Sequence, residues 1–265
     1  MPVPPRALGE LLLLVLQRVR ARFGMLLAAA LLLDGVWWLL FLPLRWVLLL
    51  LVPASMPASL PADFRPPWEM YFRTQVLFML LPPPVLSGIS VLLARHEGHV
   101  WGVLRAAAPR LGTLLGLGLM VCTADLLLLT APTFCGALFL GTGWQWLVEV
   151  PCAVLSAWLL VRWYLAAPVL VAEGLGPTAS LRRSWQLSAG LFWRILALGC
   201  CLGLPQVLVT LPEVFLAWPS RLWAQPAVWI VHAVLSVPIA VGAVVMHEEA
   251  VRRHAASDPG ATPAG

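Results

Sequence analysis

The sequence predicts an all-α integral membrane protein with six transmembrane helices and three cytoplasmic-side interfacial amphipathic helices. Composition supplies the first two observations, since 61% of the residues are hydrophobic and only 11% are charged. Soluble domains are about a quarter charged and about half apolar, so a water-soluble fold of this size could not bury so much apolar surface. Length is the third observation, because a spanning helix takes about 20 residues and 265 residues leave room for about six.

Six apolar stretches define the predicted spans. As one continuous helix the first would be about 43 Å long, against a hydrocarbon core of about 30 Å, so it must tilt, project or break near Pro43. The second contains a proline triplet, 82–84, near its middle, which removes three backbone donors and predicts a break. A proline-rich loop, 53–73, joins these two spans. The six spans are 24–52, 74–93, 111–131, 146–172, 191–218 and 224–246. Residues 1–253 are predicted to form one membrane domain, and 254–265 a disordered cytoplasmic tail.

The arginine distribution predicts the orientation of the spans. All 17 cationic side chains are arginine. Six spans place 12 of them on the same side as both termini and three on the other side. Positive residues accumulate in cytoplasmic segments, so both termini are expected in the cytoplasm. The 12 are Arg6, Arg18, Arg20, Arg22, Arg95, Arg105, Arg110, Arg182, Arg183, Arg194, Arg252 and Arg253, and the three are Arg65, Arg73 and Arg221.

Three segments on the predicted cytoplasmic side are too polar to span a membrane and too apolar to be free loops. They are 6–22, 97–110 and 177–189, and each precedes a span. In the third, Pro177 is suited to the start of a helix and Gly190 to its end. We interpret them as interfacial amphipathic helices, which suggests three repeated units of one short helix and two spans. Their apolar faces carry Leu8, Leu12, Val15 and Val19, then Trp101, Leu104 and Ala108, then Leu181 and Trp185.

The segment 162–198, RWYLAAPVLVAEGLGPTASLRRSWQLSAGLFWRILAL, has a recognisable order. An arginine and a proline lie in a span that ends in Glu-Gly, and an Arg-Ser-Trp helix then leads into the next span. This resembles the bacterial membrane-domain family named after glycerophosphoryl diester phosphodiesterase. The opening RALGELLLLVLQRVRARFG and the closing MHEEAVRRH are similar to the ends of that family. The resemblance implies a six-helix bacterial inner-membrane protein with no established activity, since the soluble phosphodiesterase domain has no counterpart in these residues.

Three ionisable residues are predicted to lie deep in the membrane. Asp34 and Arg162 each lie 11 residues from the cytoplasmic end of a span, at a depth of about 16 Å, and Asp125 lies at about 21 Å. Charged residues at such depths usually pair or face water. We expect an intramembrane cluster of Asp34, Asp125 and Arg162. It is either a polar site for an ion, a proton or a lipid headgroup, or a buried pair that fixes helix register.

A second set of charges lies at the predicted cytoplasmic surface. Glu173 precedes a helix that carries Arg182 and Arg183, which suggests a capping or interhelical salt bridge. Alternatively, these two arginines form a headgroup-binding collar with Arg105 and Arg110. The HEGH and MHEE sequences lack the helical His pair of a zinc site, so no metal or other cofactor is expected.

No catalytic motif accompanies these features, and an enzyme is not expected. The sequence predicts a non-enzymatic scaffold or envelope-assembly factor that contacts lipid headgroups. The alternative is a small transporter or lipid-handling permease that uses the intramembrane cluster. The expected partners are membrane lipids and a membrane protein. Nucleic acid is not expected, because arginine without lysine is typical of codon bias from a GC-rich genome.

Overall fold

A computed structural model describes residues 6–55, 82–95, 100–139, 146–215 and 225–257. Every regular element within these ranges is an α-helix, and they contain no strand. The helices are α1 Leu8–Ser55, α2 Pro82–Arg95, α3 Val100–Phe139, α4 Trp146–Trp163, α5 Ala166–Glu173, α6 Pro177–Ser188, α7 Phe192–Phe215 and α8 Gln225–Ser257.

Several of these helices are long and apolar enough to cross a membrane, which confirms the all-α class and its membrane character. Three candidate spans are found in the described part of the chain, namely Ala107–Asp125, Leu147–Glu173 and Ile230–Ala256. A fourth is present if α6 and α7, which meet at a bend of 105°, count as one span. The described ranges therefore contain fewer candidate spans than the six that the sequence predicts. The start of the second predicted span, 74–81, lies outside them, as do most side chains of the first.

The bundle has apolar side chains on its outside and polar ones among its buried residues. Leu119, Leu127 and Val154 expose 62%, 60% and 64% of their surface. Asp125 and Ser156, in contrast, are buried. Such an apolar exterior would aggregate in water but suits a lipid environment.

Helix α8 lies at the centre and packs against α1, α2 and α7. Its buried face consists mainly of alanine and valine, which allow neighbouring helices to approach closely. At Gly242 the approach is closest, because an added Cβ would lie 2.7 Å from Leu202 Cδ1 and 3.0 Å from Tyr164 Oη. The Tyr164 hydroxyl donates a hydrogen bond of 2.7 Å to the carbonyl of Ile239. A side chain at residue 242 would therefore press on both the packing and the hydrogen bond.

The first predicted interfacial segment, 6–22, ends at a change of helix direction. Arg22 has φ −131° and ψ 21°, which places a kink in α1 just before the predicted span. Leu11 and Val15 before the kink are fully buried, whereas Leu13 is 58% exposed. The segment is thus two-sided, with its apolar inner face against the bundle.

The second and third predicted interfacial segments differ from each other. Helix α3 runs without a break through Arg110, so the described part of 97–110 is not a separate helix, and the expected repeat is not regular. Helix α6, in contrast, is separate on both sides. Gly174 and Gly190 flank it with φ of 70° and 77°, a left-handed conformation that glycine adopts without strain. No residue between 100 and 139 has a positive φ, so nothing interrupts α3 in this way.

Two further boundaries differ from the predictions. Residues 82–84, which were placed near the middle of a span, are the first turn of α2, where missing backbone donors cost little. The predicted break at these prolines therefore corresponds to the start of a helix, and the residues just before them lie outside the described ranges. At the other end of the chain, α8 continues to Ser257, four residues into the predicted tail, and 258–265 lie outside the described ranges. The loop 53–73 is described only as far as Ser55, the end of α1.

Candidate functional site

Asp125, on α3, forms an interhelical hydrogen bond at the last residue of the candidate span Ala107–Asp125. The residue is 3% exposed, and the Ser156 hydroxyl on α4 donates to its Oδ1 atom. The other carboxyl oxygen, Oδ2, is buried and receives no hydrogen bond in the structure as described. Ser156 thus anchors α4 to α3 and leaves one polar atom of Asp125 without a partner.

Arg162 lies at the end of α4, next to a break in the helix. Pro168 has no backbone N–H, and its ring would clash with the carbonyl of Tyr164, so the break falls at residues 164 and 165. The carbonyl of Arg162 instead accepts a hydrogen bond of 2.7 Å from the Ser184 hydroxyl on α6. This hydrogen bond attaches α6 to the chain close to the junction between α4 and α5.

The guanidinium group of Arg162 is surrounded by aromatic rings. Its Cζ atom lies 5.6 Å from the ring centroid of Trp158, 5.3 Å from that of Trp185 and 5.7 Å from that of Phe192. The two tryptophan rings contact each other edge to face, with centroids 4.8 Å apart. Arg162 Nη1 donates a long hydrogen bond of 3.4 Å to the Ser188 hydroxyl, and its Nε is buried without a partner. We call Arg162, these three rings and Ser188 the elbow site.

The structure holds Asp125 and Arg162 with different partners, so these two members of the predicted cluster are not an ion pair. Asp34 lies in α1, and its side chain is outside the described part of the chain. The depth of a residue along its helix gives its level but not the direction in which it faces, so it does not decide which residues form a contact. The serines of α6 are not among the predicted site residues. Their signal was present, because Ser180, Ser184 and Ser188 recur every four residues on the buried face of α6.

The predicted surface collar is divided between two roles. Arg110 Nη1 donates a hydrogen bond of 2.6 Å to the carbonyl of Val171, in the last turn of α5. Arg183 Nε lies 3.3 Å from a carboxylate oxygen of Glu173, at the end of the same helix. These two arginines therefore hold α5 in place. Arg105 and Arg182 are exposed, and among the described residues neither has an ion-pair partner.

A charged network that the sequence analysis did not identify joins the two ends of the chain. Arg18 binds Glu248 with two hydrogen bonds of 2.7 and 2.6 Å. Glu249 is buried, and both of its oxygens accept hydrogen bonds from Arg252. Arg6 Nε lies 3.9 Å from the same carboxylate. The i, i+3 spacing of Glu249 and Arg252 was the available signal.

No family model, curated protein or solved structure matches this chain. In the parts of the molecule that the structure describes, no group of three or more His, Cys, Asp and Glu side chains is arranged to hold a metal ion. The HEGH segment, 96–99, lies outside those parts.

Proposed function

We propose that this chain is a six-span protein of the bacterial inner membrane with both termini in the cytoplasm. In this proposal it is a non-enzymatic scaffold or envelope-assembly factor whose cytoplasmic face contacts anionic lipid headgroups. One observation carries the proposal. At one end of the bundle Glu173, Glu248 and Glu249 are engaged in internal pairs, while exposed arginines there have no such partner among the described residues.

The charged end of the bundle contains both the first and the last helix of the described chain. Arg18 near the start of α1 pairs with Glu248 near the end of α8. Glu173 at the end of α5 pairs with Arg183 and lies 4.0 Å from His247 Nε2. Glu249 at this end is bound by Arg252. Arg20 and Arg182 lie on the helices that form these contacts, and Arg105 lies on α3, whose Arg110 binds the end of α5. All three arginines are exposed.

The resulting excess of positive charge supports the cytoplasmic orientation, because cytoplasmic segments are rich in arginine. It also supports lipid contact, since each basic residue near an anionic surface contributes about 1 kcal/mol. A reporter fused after residue 265 and tested on either side of the membrane checks the orientation. A periplasmic reporter would contradict it.

Lipid analysis of the purified protein tests the headgroup contact. Phosphatidylglycerol should be enriched among the lipids that co-purify with the wild type and reduced in a variant with Arg20→Gln, Arg105→Gln and Arg182→Gln. The matched control carries Arg65→Gln and Arg73→Gln, which lie on the predicted opposite side, and should keep the enrichment. Equal enrichment in all three proteins would contradict the proposal.

Resemblance to the membrane-domain family is also part of this proposal, and the contacts of its motif support it. Three motif elements of the segment 162–198 meet at one junction: Glu173 pairs with Arg183, the Ser184 hydroxyl binds the carbonyl of Arg162, and Trp185 packs on the guanidinium of Arg162. Residues far apart in the motif are therefore joined in space. A structure of a family member that lacks these contacts would argue against membership.

A transporter or lipid-handling permease is the second candidate, and Asp125 is the observation that favours it. Asp125 ends a candidate span, and one of its buried carboxyl oxygens has no partner in the described structure. Ionisable residues of this kind in membrane proteins mark ion and proton pathways. Purified protein in liposomes distinguishes the two functions. Solute flux that Asp125→Asn abolishes would establish transport and overturn the scaffold, and no flux above that of empty liposomes is expected for the scaffold.

A further inference from the structure

The guanidinium group of Arg162 has fewer partners than its chemistry requires. A guanidinium carries five N–H donors and a full positive charge. Protein groups supply one hydrogen bond, the 3.4 Å contact to Ser188, and Nε is buried without a partner. The described residues offer no carboxylate to pair with this charge, in contrast to Arg18 and Arg183, which each have one.

Two features compensate part of the charge. The rings of Trp158, Trp185 and Phe192 attract a cation through their faces. The last turn of α6, which ends at Ser188, presents the negative end of a helix dipole worth about half a charge. Neither feature supplies hydrogen-bond acceptors for the remaining N–H groups. These N–H groups therefore still need oxygen acceptors, which an anion with several oxygen atoms would supply.

The length of its candidate span allows the elbow site to lie close to the level of the lipid headgroups. The candidate span Leu147–Glu173 has 27 residues, so it is about 40 Å long and exceeds the hydrocarbon core by about 10 Å. If the excess is on the α5 side, Arg162 lies about 6 Å inside the boundary rather than about 16 Å. Trp185 and Trp193 are 37% and 76% exposed near this level, as expected for the aromatic belt.

The site is open at the surface of the described bundle. Arg162 is half-buried rather than enclosed, and the exposed rings of Trp185 and Trp193 flank the turn between α6 and α7. This turn also brings in a second cation, because Arg194 lies two residues after Phe192 and its buried Nη1 has no partner in the described structure.

We propose that the elbow site binds the phosphate group of a phospholipid, with Arg162 as its main ligand. An arginine fork matches two phosphate oxygens in a bidentate geometry, and a phospholipid is the phosphate source that lies at this level. The exposed acyl-facing tryptophans would then contact the upper part of the lipid tails. This site is separate from the arginines at residues 20, 105 and 182, and it requires only that the chain lies in a membrane.

Native mass spectrometry of the purified full chain in detergent tests the site. Phosphatidylglycerol is the probe, and diacylglycerol with the same acyl chains is the matched ligand without phosphate. We expect one tightly held phosphatidylglycerol per chain and no comparable binding of diacylglycerol. Arg162→Gln should weaken this binding at least tenfold, whereas the double variant Arg105→Gln, Arg182→Gln should retain it.

Three results would overturn the proposal. The first is folded Arg162→Gln protein that holds phosphatidylglycerol as tightly as the wild type. The second is equal binding of diacylglycerol. The third is inorganic phosphate that binds in an Arg162-dependent manner and displaces the lipid, which would assign the site to a soluble anion. If Arg162→Gln does not fold, Arg162→Lys replaces it: the loss of the planar fork should weaken binding several-fold, and unchanged binding would refute the role of Arg162.

Discussion

Glu249 offers the sharpest test of how the bundle is held together, because its neighbour Glu248 is a built-in control. The Glu249 side chain is fully buried, and hydrogen bonds from Arg252 to its two oxygens measure 2.8 and 2.7 Å. Arg253 and Arg6 lie 3.4 and 3.9 Å from the same carboxylate. Glu249→Gln keeps the size of the side chain but removes the charge that these three arginines share.

The expected cost follows from burial. Losing one partner of a fully buried ion pair costs about 3–5 kcal/mol. Arg252 is 35% exposed, so water screens part of this interaction, and we expect about 2–3 kcal/mol for Glu249→Gln. A change of 1 kcal/mol moves the melting temperature of a protein of this size by about 2–4 °C. The melting temperature in detergent should therefore fall by about 5–10 °C.

Glu248→Gln provides the comparison. Glu248 forms a bidentate contact with Arg18, but the side chains of Glu248 and Arg18 are 44% and 36% exposed. Exposed pairs contribute about 1 kcal/mol or less, which corresponds to about 2–4 °C. Tryptophan fluorescence during heating measures both variants under one condition. An equal loss of stability in the two variants, or a larger loss in Glu248→Gln, would refute the inference from burial.

Two further predictions concern helix packing. Gly242→Ala should lower stability by about 1–2 kcal/mol, because its Cβ would lie 2.7 Å from a leucine of α7. The Cβ of Gly203→Ala meets no atom within 4 Å, so this variant should be neutral or stabilise the protein by about 1 kcal/mol. Thermal unfolding compares the two variants, and equal effects would contradict the close packing at Gly242. Ser156→Ala should cost about 0.6–1.7 kcal/mol, because Asp125 loses its interhelical donor. Ser90→Ala, which removes only a bond to its own helix, should change the melting temperature less, and the reverse order would contradict this role.

The local features of the chain could be predicted because they depend on neighbouring residues. The long apolar runs predicted helices that can cross a membrane, and such helices are present. Pro177 and Gly190 predicted the start and end of a short helix, which is confirmed by α6 and by the positive φ of Gly190. Proline at a first turn and left-handed glycine after a last turn follow from backbone geometry alone.

The contacts between helices could not be predicted in the same way. The expected cluster required Asp125 and Arg162 to face each other, but the rotation of each helix about its axis is set by packing. Arg18 and Glu248 are 230 residues apart, and no sequence pattern links them. The bond from Arg110 to the carbonyl of Val171 likewise joins residues 61 apart, and no sequence pattern links them.

The central position of α8 has a consequence for biosynthesis. Helices α1 and α2 both pack on α8, yet some 130 residues separate α2 from it along the chain. Until α8 is synthesised and inserted, the inner faces of α1 and α2 have lipid, or an insertion factor, in place of their final neighbour. Arg18 likewise meets Glu248 only at that point. The contacts of α1 and α2 with the central helix therefore form only after the last described helix is made, whereas the contacts among α2, α3, α4 and α5 do not depend on α8.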